Sequence, residues 1–186
     1  MPTEGLKPEV IIQNVVASVT IDQEIDLKDI LERFPHTEYD PKRFPGLIYK
    51  LKTPKAAVLI FASGKMVVTG ARAEREVYVV VEKVIKDLRR GKILKRPKVE
   101  VKIQNVVASG NLFRRIDLEK AALMLDFSMY EPDEFPGLMY KMDGSNIAFL
   151  LFASGKIVCT GATRESEVFE AVRILRDELE EKGLFL

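Results

Sequence analysis

"FASGKMVVTGA" (61–71) returns 91 positions later as "FASGKIVCTGA" (152–162). Two other pairs keep the same spacing: "IQNVVAS" at 12–18 and 103–109, and "FPGLIYK" (44–50) with "FPGLMYK" (135–141). A constant register with no insertion marks a duplication. A period of 91 residues is domain-sized, too long for a solenoid unit. The chain is therefore expected to form two similar halves, 1–95 with a short leader and a linker, and 96–186, joined around "RRGKILKRPK" (89–98).

Each half reads in the same order. "VIIQNVVASV" is β-branched and predicts a strand, and "IDLKDILERF" carries helical spacing behind Asp22 or a neighbour as cap. After the Pro/Gly turn "YDPKRFPG" come three strands, "GLIYKLK", "AAVLIFA" and "MVVTGA", separated by "TPK" and the tight turn "SGK". "AEREVYVVVEKVIKDLRR" closes the half as an amphipathic helix with Val77, Val81, Val84, Ile85 and Leu88 on one stripe. The order β-α-β-β-β-α, twice, predicts an α+β fold with an antiparallel meander and helices on one face.

Such a sheet should alternate apolar and polar residues. These strands do not. Val58 and Ile60 alternate with Leu59 and Phe61, Met66 and Val68 with Val67 and Thr69, and Val15 and Ala17 with Asn14, Val16 and Ser18. The second face is thus apolar with a few amides and hydroxyls. Either it is buried against the other repeat or another subunit, or it awaits a partner. The two copies exchange Val, Ile, Leu, Met and Cys at several strand positions, as at Val68 and Cys159. They keep Asn14/Asn105, Phe44/Phe135, Lys50/Lys141, Phe61/Phe152, Ser63/Ser154, Lys65/Lys156 and Thr69/Thr160 identical. Core packing tolerates the first kind of exchange. The second set is what a symmetric surface touching a pseudo-symmetric partner, such as duplex DNA, would hold fixed.

Composition narrows the rest. The chain has 186 residues, 47% hydrophobic and 31% charged, with a formal net charge of +1. A nucleic acid must then be held by a local patch, since no strong field covers the whole molecule. The single cysteine, Cys159, excludes an intramolecular disulfide and suits a reducing compartment. No apolar run approaches the roughly 20 residues of a membrane span, and "MPTEGLKPEV" reads as a loose leader, unlike a secretion signal. Catalytic readings find little support. "SGK" lacks the spacing of a phosphate-binding loop, with Met66 or Ile157 after the lysine. His36 stands alone in a turn, Cys159 has no neighbouring base, and no Cys/His set has metal spacing. We therefore expect a non-enzyme without cofactor or metal.

The motifs "QNVVAS", "YDPKRFPGLIYK" and "IFASGKMVVTGA", with their second copies "YEPDEFPGLMYK" and "LFASGKIVCTGA", resemble the TATA-box-binding protein family in its archaeal form, over about residues 8–182. The resemblance implies a saddle: two pseudo-symmetric repeats sharing one curved antiparallel sheet, with helices on the convex face. It also implies sequence-selective binding of A/T-rich promoter DNA in the minor groove, bending by phenylalanine wedges, and nucleation of transcription initiation.

Carried over residue by residue, the resemblance implies that Val16, Leu59, Val67, Val107, Leu150 and Val158 press on sugars and base edges. They leave the amino group of a G·C pair without a partner. Asn14, Asn105, Thr69 and Thr160 would donate to the acceptors of A·T pairs. Phe44 with Phe61, and Phe135 with Phe152, would wedge into base steps, and Lys50, Ser63, Lys65, Lys141, Ser154 and Lys156 would meet phosphates. Lys50 and Lys141 stand where the family often has arginine, trading a bidentate contact for a point charge.

The halves differ in charge. Residues 42–55 contain five cations and no acid, whereas 133–146 contain Asp133, Glu134 and Asp143 against Lys141. The resemblance implies that transcription factor B contacts Glu131, Asp133 and Glu134, with RNA polymerase recruited indirectly. It also implies a nucleoid-associated location in the cytoplasm of an archaeal cell, and pairing of two DNA-free copies is compatible with the apolar face. The competing reading is a duplicated sheet protein using that face for dimerisation or for a lipid-like ligand. A strong preference for A·T duplex separates the two.

Overall fold

β-branched runs drive the strands, and the "FPG" and "SGK" turns set where they reverse. The computed structural model describes residues 6–186, so the first half of the expected leader lies outside the described residues. The first repeat forms β1 (Glu9–Ile21), α1 (Leu27–Arg33), β2 (Leu47–Lys52), β3 (Lys55–Ile60), β4 (Lys65–Ala71) and α2 (Glu74–Arg90). The second forms β5 (Val99–Asn111), α3 (Leu118–Met124), β6 (Ser128–Met129), β7 (Leu138–Lys141), β8 (Ala148–Leu151), β9 (Lys156–Ala162) and α4 (Glu165–Glu181). The strand order is β2-β3-β4-β1 in the first repeat and β5-β9-β8-β7-β6 in the second. The pairings β1/β4, β2/β3 and β3/β4 are antiparallel, as are β5/β9, β6/β7, β7/β8 and β8/β9. The α+β class and its two-repeat order are thus present, with one addition: β6, matched in the first repeat only by the isolated bridge Glu38–Ile48.

By contacts the chain forms two compact units, Asn14–Gln104, and Asn105–Leu186 together with the residues up to Gln13. In the first, Val15, Ala17, Val19, Tyr49, Val58, Ile60, Met66 and Val68 pack under Val77, Val80, Val84 and Leu88 of α2. Val80 is fully buried and takes the place expected for Ile85, which is only half-buried at the margin of the stripe. In the second unit Val106, Ala108, Phe149, Leu151, Ile157 and Cys159 pack under Val168, Val172, Leu175 and Leu179 of α4. Burying an aliphatic side chain of this size is worth about 1.5–3 kcal/mol, so each helix is held mainly by its apolar stripe.

Local chemistry fixes the ends. The cap of α1 is Asp26, not Asp22: its carboxylate accepts the N–H groups of Lys28 (3.0 Å) and Asp29 (3.3 Å). Asp22 instead accepts the N–H of Lys98 at 2.7 Å and so ties down the linker. Asp117 caps α3 in the same way through Lys120. In each unit a buried tyrosine pins a strand to the covering helix. Tyr49 Oη donates to Asp87 (2.7 Å) and Tyr140 Oη to Glu178 (2.8 Å). Burial first, then the hydrogen bond to a carboxylate, pushes both phenols well above their ordinary value near 10.

Candidate nucleic-acid interface

In the unit Asn14–Gln104, the strand residues turned away from the helix form cross-strand rows. Ser18, Val67, Leu59 and Ile48 lie opposite one another in turn across β1, β4, β3 and β2. A second row runs Thr69, Ala57, Lys50, and Lys52 pairs with Lys55 at the hairpin end. Val16, Leu59 and Val67 are half-exposed, while their neighbours one residue away are buried under α2. Within this unit the apolar second face is therefore uncovered.

The unit holding Asn105–Leu186 repeats the arrangement. Its rows are Ser109, Val158, Leu150, Met139, Met129 and Thr160, Ala148, Lys141. A shallow open cleft at its margin joins Ile11, Ser109 and Asn111 to Phe152, Ser154 and Lys156.

The two asparagines are held in one orientation. β4 and β9 each carry an irregularity opposite Val16 and Val107, at Gly70 (φ 91°) and Gly161 (φ 96°). The irregularity turns the glycine N–H toward the asparagine. Asn14 Oδ1 accepts it from Gly70 at 2.7 Å and Asn105 Oδ1 from Gly161 at 2.8 Å. The amide nitrogens then donate to the threonine hydroxyls, Asn14 Nδ2 to Thr69 Oγ1 at 3.4 Å and Asn105 Nδ2 to Thr160 Oγ1 at 3.2 Å, each with a second N–H to spare. Since each carbonyl oxygen is taken up by the backbone, the side chains present donors.

Phenylalanine pairs sit at the ends of the strands. Phe44 and Phe61 are 5.8 Å apart between centroids at 70°, and Phe135 and Phe152 are 6.0 Å apart at 68°, both edge-to-face. Phe44 and Phe135 are exposed at 39% and 44%, large values for an unpolar ring. Phe61 and Phe152 begin the Ser-Gly-Lys turns, which close through Phe61 N–H to Lys65 O (2.9 Å) and Phe152 N–H to Lys156 O (3.0 Å). Ser63, Lys65, Ser154 and Lys156 are exposed at these turns, as are Lys50 and Lys141 on the open rows. Lys50 meets Glu38 at 3.4 Å, where the second repeat has Met129.

Glu131, Asp133 and Glu134 are exposed in the turn that leads into Phe135, closed by Phe135 N–H to Glu131 O at 2.9 Å. The same turn in the first repeat carries Asp40, Lys42 and Arg43. Cys159 is buried in the core, and burial pushes its thiol up to about 12, far from a nucleophile. His36 is exposed in its turn, edge-on to Tyr49 at 4.9 Å. Among the described residues, no group of three or more His, Cys, Asp or Glu side chains is placed to hold a metal ion. No described helix is long and apolar enough to cross a membrane.

Sequence reading missed Ile48 and Met139, which share the open rows with Leu59 and Leu150; it set Ser18 on this face without a role, and Ser18 and its counterpart Ser109 accept from Gln104 and Gln13 at 2.8 Å. The signal was available. Strand alternation puts Ile48 on the face of Lys50 two residues on, a residue that the sequence had placed there.

An uncovered sheet face that is apolar, carries oriented donors and occurs twice marks a duplicated recognition protein. Comparison with known sequences specifies which kind. The family described as "Transcription factor TFIID (or TATA-binding protein, TBP)" matches at residues 9–91 and 100–182, and the chain belongs to this family. It is 50% identical over 175 residues to a TATA-box-binding protein of Pyrodictium occultum, covering 93% of this chain and 87% of that one. It is 48% identical over 181 residues to one of Sulfurisphaera tokodaii, covering 97% and 91%. Among solved structures it resembles Methanococcus jannaschii TBP, with a TM-score of 0.83, 39% identity, and 93% and 99% of the two chains covered. The two-repeat α+β fold is that of the family.

Proposed function

We propose that this protein binds the TATA element of promoter DNA in the minor groove and nucleates transcription initiation. The observation that carries the reading is the orientation of Asn14 and Asn105. Each carbonyl oxygen is taken by a glycine N–H, which leaves the amide nitrogen, beside a threonine hydroxyl, to donate on a surface otherwise lined by Val16, Leu59 and Val67 or by Val107, Leu150 and Val158. The minor groove of A·T and T·A pairs offers acceptors alone, adenine N3 and thymine O2. A G·C pair adds a protruding amino donor, which would meet a methyl group or another donor here, and its desolvation would go uncompensated.

The open rows then press on sugars and base edges. Phe44 with Phe61 and Phe135 with Phe152 enter base steps and kink them, a mode of which this family is a standard example. Lys50, Lys65, Lys141 and Lys156, with Ser63 and Ser154, hold the phosphates that flank the opened groove.

Because the two half-sites are so alike, DNA alone gives them little reason to prefer one direction. The acidic turn Glu131, Asp133 and Glu134 has a basic counterpart, Lys42 and Arg43, at the matching positions of the other repeat. Transcription factor B docks at the acidic turn, fixes the direction and brings RNA polymerase. Without DNA, two copies cover their apolar faces by pairing.

Fluorescence anisotropy on a labelled TATA-containing duplex and a G·C-substituted one, with wild type and Phe152→Ala, tests the reading. The result expected is tight A·T-selective binding weakened by the substitution. Weak, equal, salt-sensitive binding to both duplexes would favour a generic charge contact and the dimer or ligand reading instead.

A further inference from the structure

Glycine follows proline in both "FPG" turns, at Gly46 and Gly137, and both glycines are buried. Neither has a positive φ, so the backbone at these positions does not itself require glycine. The space does. A Cβ on Gly46 would lie 2.8 Å from Phe44 Cε1 and 3.1 and 3.3 Å from Phe61 Cε1 and Cζ. A Cβ on Gly137 would lie at the same 2.8 Å from Phe135 Cε1 and 3.1 and 3.3 Å from Phe152. The same steric arrangement thus occurs in two separate units, with the ring pair supplying the three nearest atoms each time. Both contacts are with ring edges. An added methyl would therefore displace the rings while leaving the strands beneath intact.

We propose that Gly46 and Gly137 are positioning residues for the phenylalanine pairs. With no side chain, each lets its two rings close over the backbone edge-to-face. The half-buried ring, Phe61 or Phe152, braces the exposed one, Phe44 or Phe135. A braced ring meets the base step already in its rotamer, so little side-chain freedom is lost when it enters. This rests on the wedge reading above.

The test uses the full chain carrying Gly137→Ala, Gly46→Ala or Phe152→Ala, and a TATA duplex with 2-aminopurine at one kinked step or the other. Unstacking is read as the gain in aminopurine fluorescence on binding. In parallel, the fluorine resonances of p-fluorophenylalanine report the rings in the free protein. Gly137→Ala should shift the Phe135 and Phe152 resonances, cut the fluorescence gain at one step only and weaken binding roughly three- to tenfold, the range an off-rotamer ring implies. Gly46→Ala should act at the opposite step, and neither should change the melting temperature appreciably.

A normal fluorescence gain in both glycine variants, while Phe152→Ala abolishes it, overturns the positioning role and leaves the wedge standing. A normal gain in Phe152→Ala overturns the wedge and this proposal with it. A large fall in melting temperature for both glycine variants assigns the glycines to folding and overturns the proposal as well.

Discussion

Asn105 Nδ2 lies 3.2 Å from Thr160 Oγ1 while its Oδ1 accepts the Gly161 N–H at 2.8 Å, and Asn14 stands in the same relation to Thr69 and Gly70. Each asparagine is a donor whose orientation is set before any partner arrives. Asn105→Asp keeps the acceptor for Gly161 but replaces the outward donor with a second, charged acceptor. We expect near-normal thermal stability and a loss of A·T-duplex binding of about 1–3 kcal/mol, the worth of a good base contact. Anisotropy titration beside a melting curve checks both halves of the expectation.

Lys65 and Lys156 sit exposed at equivalent turns beside Phe61 and Phe152. If they meet phosphates, Lys65→Gln and Lys156→Gln should each reduce the slope of log affinity against log salt by about 0.9, with A·T preference retained. An unchanged slope for both would remove them from the interface.

The acidic turn gives a third expectation. Glu131→Lys combined with Glu134→Lys should leave binding to the TATA duplex intact and abolish the further mobility shift produced by transcription factor B. Unimpaired recruitment in a native gel would place that partner elsewhere.

The hydrogen bond from Tyr140 Oη to Glu178 makes stability depend on pH at the alkaline end. The folded-state phenol titrates above its ordinary value near 10, so its contribution is fully present below that value and is lost as pH rises beyond it. Tyr140→Phe should cost about 0.5–1.5 kcal/mol at neutral pH and flatten the alkaline fall in stability. Urea unfolding at neutral pH and above pH 10 reads the difference.

Cys159 fills the position that Val68 fills in the first repeat, and both are buried at 1% or less. Cys159→Val should change stability by less than about 1.5 kcal/mol and leave DNA binding untouched. In the native protein the thiol should resist a thiol reagent until the chain unfolds.

Much of this arrangement was legible in the sequence because duplication gave each reading a second witness. The two copies of "FASGK" located the turns, and the exchange of Val68 for Cys159 beside an unchanged Thr69 and Thr160 separated the two sheet faces. What local sequence does not carry is partner register. The irregularity that aims Gly70 and Gly161 at the asparagines depends on β1 and β5 pairing with strands about 55 residues away. Alternation gives the face of Ile48 and Met139, but not that Leu59 and Leu150 lie opposite them. β6 is two residues long and exists because Met129 lies opposite Met139, a pairing no propensity could announce. Asp26 displaced Asp22 as the cap of α1 because the helix starts later than its apolar pattern, at Leu27.

The measurement that tests the central claim most directly replaces the A·T pairs of the TATA duplex with inosine·cytosine pairs. Inosine lacks the guanine amino group, so these pairs present the minor groove of A·T and the major groove of G·C. If the face around Asn14 and Leu59 and the face around Asn105 and Leu150 read the minor groove, the inosine duplex binds nearly as tightly as the TATA duplex and far more tightly than the G·C one. Binding of the inosine duplex at the G·C level would place recognition in the major groove and contradict the account.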